Sequence, residues 1–115
     1  MDFGAFADED FCYLTTTGRV TGQPQTIEIW FAVYGPTLYL LAGSGRNAGW
    51  VKNLLQTPQV TVRLKQTRFS GRARTVVDKS EDALARQLVV NKYQSRDSDD
   101  LSNWGQTALP IAVDL

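Results

Sequence analysis

The 115-residue chain has no histidine and only one cysteine, Cys12. Without histidine there is no Ser–His–Asp triad, no zinc-protease helix and no histidine-ligated metal or haem. One cysteine makes neither an internal disulfide nor a cysteine-rich zinc site. No charge sign prevails: 12 Lys+Arg stand against 12 Asp+Glu, so a general basic field for nucleic acid is missing. Long apolar runs are missing too. Residues 29–34 and 38–42 fall far short of the ~20 that a membrane helix needs. The N-terminus has no basic region and turns acidic at Asp8, Glu9 and Asp10, unlike a signal peptide. These absences predict a soluble, cytoplasmic protein. Its chemistry must come from hydroxyls, carboxylates, Arg and Lys, backbone amides or a borrowed cofactor.

What remains is ordinary globular material, 43% hydrophobic and 21% charged, enough for a single domain over 1–115. Residues 11–17 are β-branched and aromatic and predict a strand. Gly18, Gly22 and Pro24 turn the chain. Residues 25–34 alternate: Ile27, Ile29, Phe31 and Val33 on one side, Thr26, Glu28, Trp30, Ala32 and Tyr34 on the other. Strands follow at 38–42, 60–64 and 68–77, with a short helix at 50–55 closed by Thr57 and Pro58. Asp78 followed by Glu81 predicts a capping box for a helix running to about Tyr93. A polar loop at 95–100 leads on to a last strand at 108–113. The pattern predicts a mainly β, α+β fold of about six antiparallel strands and two helices, curled into a closed or partly closed barrel.

The 43–49 loop, running into a helix, is the best anion candidate. Its glycines let backbone N–H groups approach an oxyanion, the helix start adds positive potential, and Arg46 and Lys52 add charge. It is neither a Walker loop nor a dinucleotide fingerprint, and a plain solvent loop is the alternative. Thr15, Thr16, Thr17 and Arg19 offer hydroxyls and a guanidinium, or a simple hairpin tip. Trp30, Tyr34, Trp50, Tyr93 and Trp104 could line a flat site or pack the core. Arg68, Arg72 and Arg74 on one strand face could meet an acidic partner or protect an edge. Cys12 reads as a buried, inert thiol. Asp97, Asp99 and Asp100 lack the glycine and terminal Glu of a calcium loop.

Three segments carry a resemblance. Leu14 through Thr15, Thr16, Thr17, Gly18, Arg19 and Gly22 to Pro24 resembles the opening motif of the deazaflavin-dependent nitroreductase, or quinone reductase, family. Trp50, Asn53 and Leu54 through Pro58, Val60 and Val62 resemble its helix-and-strand segment. Trp104 with Pro110, Ile111 and Val113 is similar to its final strand. The resemblance implies a split β-barrel of the FMN-binding type, related to pyridoxamine 5'-phosphate oxidase barrels. It implies an 8-hydroxy-5-deazaflavin coenzyme, with FMN as the alternative, and hydride transfer to a quinone, nitro compound, enone or other conjugated acceptor. An FMN-dependent oxidoreductase and a non-catalytic flavin or deazaflavin carrier or sensor stay open beside it. It also implies a homodimer.

Carried over by position, the cofactor contacts are Arg19, Val20 and Thr21 in the first segment. Gln25, Thr26, Ile27, Glu28, Ile29 and Trp30 form the second, and Leu41, Ala42, Gly43 and Ser44 the third. Gly49, Trp50, Val51, Lys52 and Asn53 form the fourth. The amides of Gly43, Ser44 and Gly45, with Arg46 and Lys52, would hold the phosphate side, and Trp30 and Trp50 would lie near the ring. Val20 and Gln25 stand where the family often carries lysine and arginine. Tyr93, or water, is the candidate proton donor.

Overall fold

The computed structural model describes residues 3–115; Met1 and Asp2, where the N-terminal reading begins, lie outside the described residues. Seven strands and three helices follow in order: β1 (Cys12–Thr17), β2 (Pro24–Ile29), β3 (Ala32–Tyr34), β4 (Thr37–Ala42), α1 (Gly49–Gln56), β5 (Gln59–Leu64), β6 (Thr67–Thr75), α2 (Lys79–Gln94), α3 (Ser102–Thr107) and β7 (Leu109–Asp114). They form one antiparallel sheet in the order β2-β1-β5-β6-β7-β4-β3.

The alternation over 25–34 is not one strand. It breaks at Trp30 and Phe31, and the two pieces become opposite edges of the sheet. Seven strands lying flat would hold their edges roughly 29 Å apart. The three peptide units from Ile29 to Ala32 span at most ~11 Å. The sheet therefore has to curl into a half-barrel. The break has a physical cause. Phe31 gives its backbone N–H to the Tyr93 hydroxyl at 3.0 Å, and its carbonyl accepts from Lys92 Nζ at 3.0 Å. Helix α2 thus takes the backbone groups that a continuous strand would have paired with a neighbour.

Two cores result. Inside the curl, Leu14, Val62, Leu64, Phe69, Leu40 and Ile111 pack with Val51 and Leu54 of α1. Outside β4 and β7, Tyr39, Leu41 and Ala112 pack with Ala85, Val89 and Tyr93 of α2. Helix α3, absent from the sequence reading, closes this second core with Trp104 and with Gly105, whose missing Cβ leaves room for Val90.

Asp78 caps α2 by accepting from Glu81 N–H at 2.9 Å. The Glu81 carboxylate does not complete a box. It takes two bonds from Arg74, both 2.7 Å, and one from Tyr39 at 2.7 Å, while Arg74 Nε also donates to Asp114 at 2.7 Å. This fork ties β6, β4, β7 and α2 together. The arginine row of β6 is not edge protection either, because β6 lies between β5 and β7.

Candidate active site

Gly22, with φ 76°, closes the β1–β2 hairpin, donating from its N–H to Gly18 O at 2.8 Å. Gly18 in turn donates to Gln23 O at 2.8 Å. A side chain at 18 would meet Gln23 O and Gln25 Nε2 at 3.0 Å, so glycine here lets the turn fold down onto Gln25. The hairpin tip thereby meets α1, and the meeting point is Asn53.

Asn53 is 1% exposed. Its Oδ1 accepts from the Arg19 backbone N–H at 3.1 Å and from Arg19 Nη1 at 2.9 Å. Its Nδ2 donates to Thr16 Oγ1 at 3.1 Å and to Gln25 Oε1 at 2.8 Å. One carboxamide thus fastens β1, the hairpin, β2 and α1. Arg19 Nη1 also reaches the Gly49 carbonyl at 3.3 Å, which places the guanidinium beside the first turn of α1. No side chain caps that turn: Ala48 is the N-cap. Gly45, at φ 58°, starts the single 3-10 turn that leads into it, and the space a Cβ would take there is open. Gly43, Ser44, Arg46, Gly49 and Lys52 are all exposed, and among the described residues neither Arg46 nor Lys52 has an acidic partner.

Not every carried-over residue meets here. Thr26 and Glu28 sit on the opposite face of β2. Thr26 Oγ1 lies 2.7 Å from Thr15 Oγ1, and Glu28 accepts from Tyr13 OH at 2.8 Å. Ile27 and Ile29 lean on the inner core. Val20 is 87% exposed, and Thr21 accepts from Gln23 N–H within the turn. Leu41, Ala42 and Val51 are buried, so only their backbones could touch a ligand. The two tryptophans part company: Trp50 packs on the inner core and Trp30 on the outer one.

Trp30 stacks flat on Tyr93, with centroids 4.3 Å apart and planes 2° apart, and meets Trp104 edge-on at 5.7 Å. The Cβ that Gly43 lacks would lie 3.3 Å from Trp104 Nε1, so the third segment abuts this aromatic wall. Tyr93 is 2% exposed, and its hydroxyl lies 2.9 Å from Asp10 O and 3.1 Å from Phe31 O. Burial pushes that hydroxyl up to about 12. It serves the backbone. Thr16 and Trp104, read from the sequence as a strand-end hydroxyl and a candidate aromatic but not among the carried-over contacts, also belong here.

The model of the family described as F420H(2)-dependent quinone reductase matches residues 4–115. The F420H(2)-dependent quinone reductase Rv1261c of Mycobacterium tuberculosis (strain ATCC 25618 / H37Rv) is 32% identical over 96 residues, covering 74% of this chain and 64% of that protein. The chain thus matches less than two thirds of that relative's length. Among solved structures, the F420-H2 dependent reductase FDR-A superposes with TM-score 0.75 at 16% identity, over 92% of this chain and 95% of that one. An FAD-binding protein of Mesorhizobium loti superposes with TM-score 0.69 at 14% identity, over 95% and 81%. At such identities the likeness concerns the fold alone, a split β-barrel. No helix among the described residues is long and apolar enough to cross a membrane.

Proposed function

Because the chain belongs to the F420H(2)-dependent quinone reductase family, we propose that it is a deazaflavin-dependent oxidoreductase acting on quinones, with nitro compounds and other conjugated acceptors as further substrates. The observation that carries this reading is the pairing of Arg19 with Asn53 at the uncapped start of α1. It is a cationic, backbone-rich corner held rigid by a buried amide.

The donor set suits the acidic tail and phosphate of a deazaflavin coenzyme. The Arg19 guanidinium can fork onto an oxyanion. The first turn of α1 offers N–H groups that no side chain occupies. Arg46 and Lys52 add exposed positive charge on either side. Asn53 keeps Arg19 from collapsing into solvent, which lowers the ordering cost of binding. When bound, the reduced coenzyme supplies the hydride that the acceptor receives. Trp30 and Trp104 give a flat apolar wall beside Gly43, from which a conjugated ring gains contact area and loses water. In this reading the proton comes from solvent, because the Tyr93 hydroxyl is engaged by the backbone.

The test is a fluorescence titration of the purified protein with the deazaflavin coenzyme and, separately, with FMN. Steady-state oxidation of the reduced coenzyme by menadione and by a nitroaromatic then follows. Tight deazaflavin binding with menadione turnover is expected. Binding without turnover would make the protein a carrier, tight binding of FMN alone would replace the cofactor, and binding of neither would remove the reading.

A further inference from the structure

The outer face of β2, β1, β5 and β6 carries a second patterned surface, on the other side of the sheet from Asn53. Thr16 points inward to Asn53, while its neighbour Thr15 points outward to Thr26. No helix covers this side: α1 packs within the curl, and α2 packs on β3, β4 and β7. The strand register aligns two rows. Glu28, Tyr13, Arg63 and Arg68 face one another across the four strands, and Thr26, Thr15, Thr61 and Ser70 do so one step along. A groove of about 400 Å³ lies over Tyr13, Thr15, Thr26, Thr61, Arg63 and Arg68.

Two features of the charged row call for an anion. Arg63 and Arg68 are directly opposite each other on β5 and β6, where like charges are destabilising. Neither forms an ion pair among the described residues, and Glu28 at the far end of the row is taken by Tyr13. Arg63 is also held in place in advance. Its guanidinium lies 4.2 Å from the Tyr13 ring centroid, and Nη1 donates to the Lys65 carbonyl at 2.8 Å. Its other N–H groups stay available at little further ordering cost.

We propose that this groove is a binding site for a small phosphate-bearing metabolite, its oxyanion forked by Arg63 and Arg68 and its hydroxylated body laid along the threonine row. A dianionic phosphate matches two guanidinium forks. Thr15, Thr61 and Ser70 can donate to, or accept from, a polyol. The site is independent of the proposed cofactor corner, since the two use opposite faces of β1.

The experiment follows the arginine Nε–Hε resonances by NMR during titration with inorganic phosphate and with glycerol phosphate, at ionic strength held constant with chloride. Saturable shifts of Arg63 and Arg68 together are expected, with glycerol phosphate the tighter ligand, and Arg68→Gln separates them from any response of Arg19 at the cofactor corner. Arg68→Gln should weaken binding at least tenfold and raise the melting temperature in phosphate-free buffer, because it removes the opposed charge. The Arg86 resonance, whose guanidinium is already engaged by Asp82 and by the carbonyls of Gly105 and Ala108, serves as the control. Non-saturating shifts, equal shifts with chloride, or unchanged affinity in Arg68→Gln would overturn the site. So would a dimer by light scattering that Arg68→Gln dissociates while phosphate shifts neither resonance; the face would then be a contact between two copies of the chain.

Discussion

The side-chain oxygen of Asn53 accepts both the main-chain N–H and the guanidinium of Arg19, at 3.1 and 2.9 Å. A single buried acceptor thus fixes where this arginine leaves the backbone and where it ends. Arg19 and Asn53 should respond differently to truncation. Arg19→Ala removes an exposed cation and should weaken deazaflavin binding at least tenfold, with a melting temperature within a few degrees of the parent. Asn53→Ala strands Thr16, Gln25 and the Arg19 N–H and should cost about 2–4 kcal/mol of stability as well as binding. Paired thermal melts and fluorescence titrations check this; equal melting temperatures for the two variants would sink it. Trp50→Ala belongs with Asn53, because Trp50 packs against the inner core.

Tyr93→Phe separates scaffold from chemistry. The hydroxyl accepts from Phe31 N–H and neighbours two carbonyls, so its loss should cost about 1–3 kcal/mol. Turnover with menadione and its pH profile should stay as in the parent below the unfolding temperature. A large fall in kcat, or a displaced pH limb, would make Tyr93 a proton donor after all.

The Arg74 fork makes stability depend on acid. Hydrogen bonds from Arg74 hold Glu81 down to about 2 and, with Thr37, hold Asp114 below the usual carboxylate range. Both folded values lie below the unfolded ones. Their contribution is therefore complete above about pH 4.5 and is lost as the pH falls toward 2. With the Arg74 side chain 40% exposed, solvent screening leaves about 2 kcal/mol. Arg74→Met should unfold earlier at neutral pH and show a flatter decline between pH 5 and 2 in denaturant titrations. Parallel declines would exclude the fork as the cause.

Cys12 gives a clean reporter of global opening. Burial pushes its thiol up to about 12 and covers it completely. Reaction with a disulfide reagent at pH 8 should run at least ~1000-fold slower in the native state than in denaturant, limited by opening. A fast native reaction would show that the inner core opens locally around β1.

Gly71→Ala should destabilise by about 1–3 kcal/mol. The added Cβ would lie 2.6 Å from Val113 Cγ1, and Val113 is fully buried and cannot yield. A chemical denaturation midpoint unchanged from the parent would show that β6 can shift away from β7.

Much of this architecture could be read from residue order. β-branched and aromatic content placed β1, short apolar runs placed β4 and β7, alternation placed β5, and Asp78 marked the start of α2, because each is a local signal. What escaped was set by partners distant in sequence. The break at Phe31 is imposed by Tyr93, 62 residues away, and nothing within 25–34 signals it. Helix α3 is six residues with no side-chain cap, held by Trp104 and Gly105 against α2. At the site, glycines and cations near 43–53 were legible as types. The role of Asn53 was not, since its four bonds come from three other segments. Thr26 and Glu28 went to the other face because a contiguous list ignores the period of two in a strand.

The join between β2 and β3 has a topological consequence. The ring of strands is completed by covalent backbone instead of by a ladder of hydrogen bonds, and only Trp30 and Phe31 lie in the join. Opening the chain there would leave every interstrand pairing intact. It would release the covalent tether that keeps the two rims in reach of each other, leaving Tyr93 and Lys92 to hold the backbone of Phe31. The reach between the two rims is thus set by one two-residue connector, and α2 fixes that connector through the backbone of the buried Phe31.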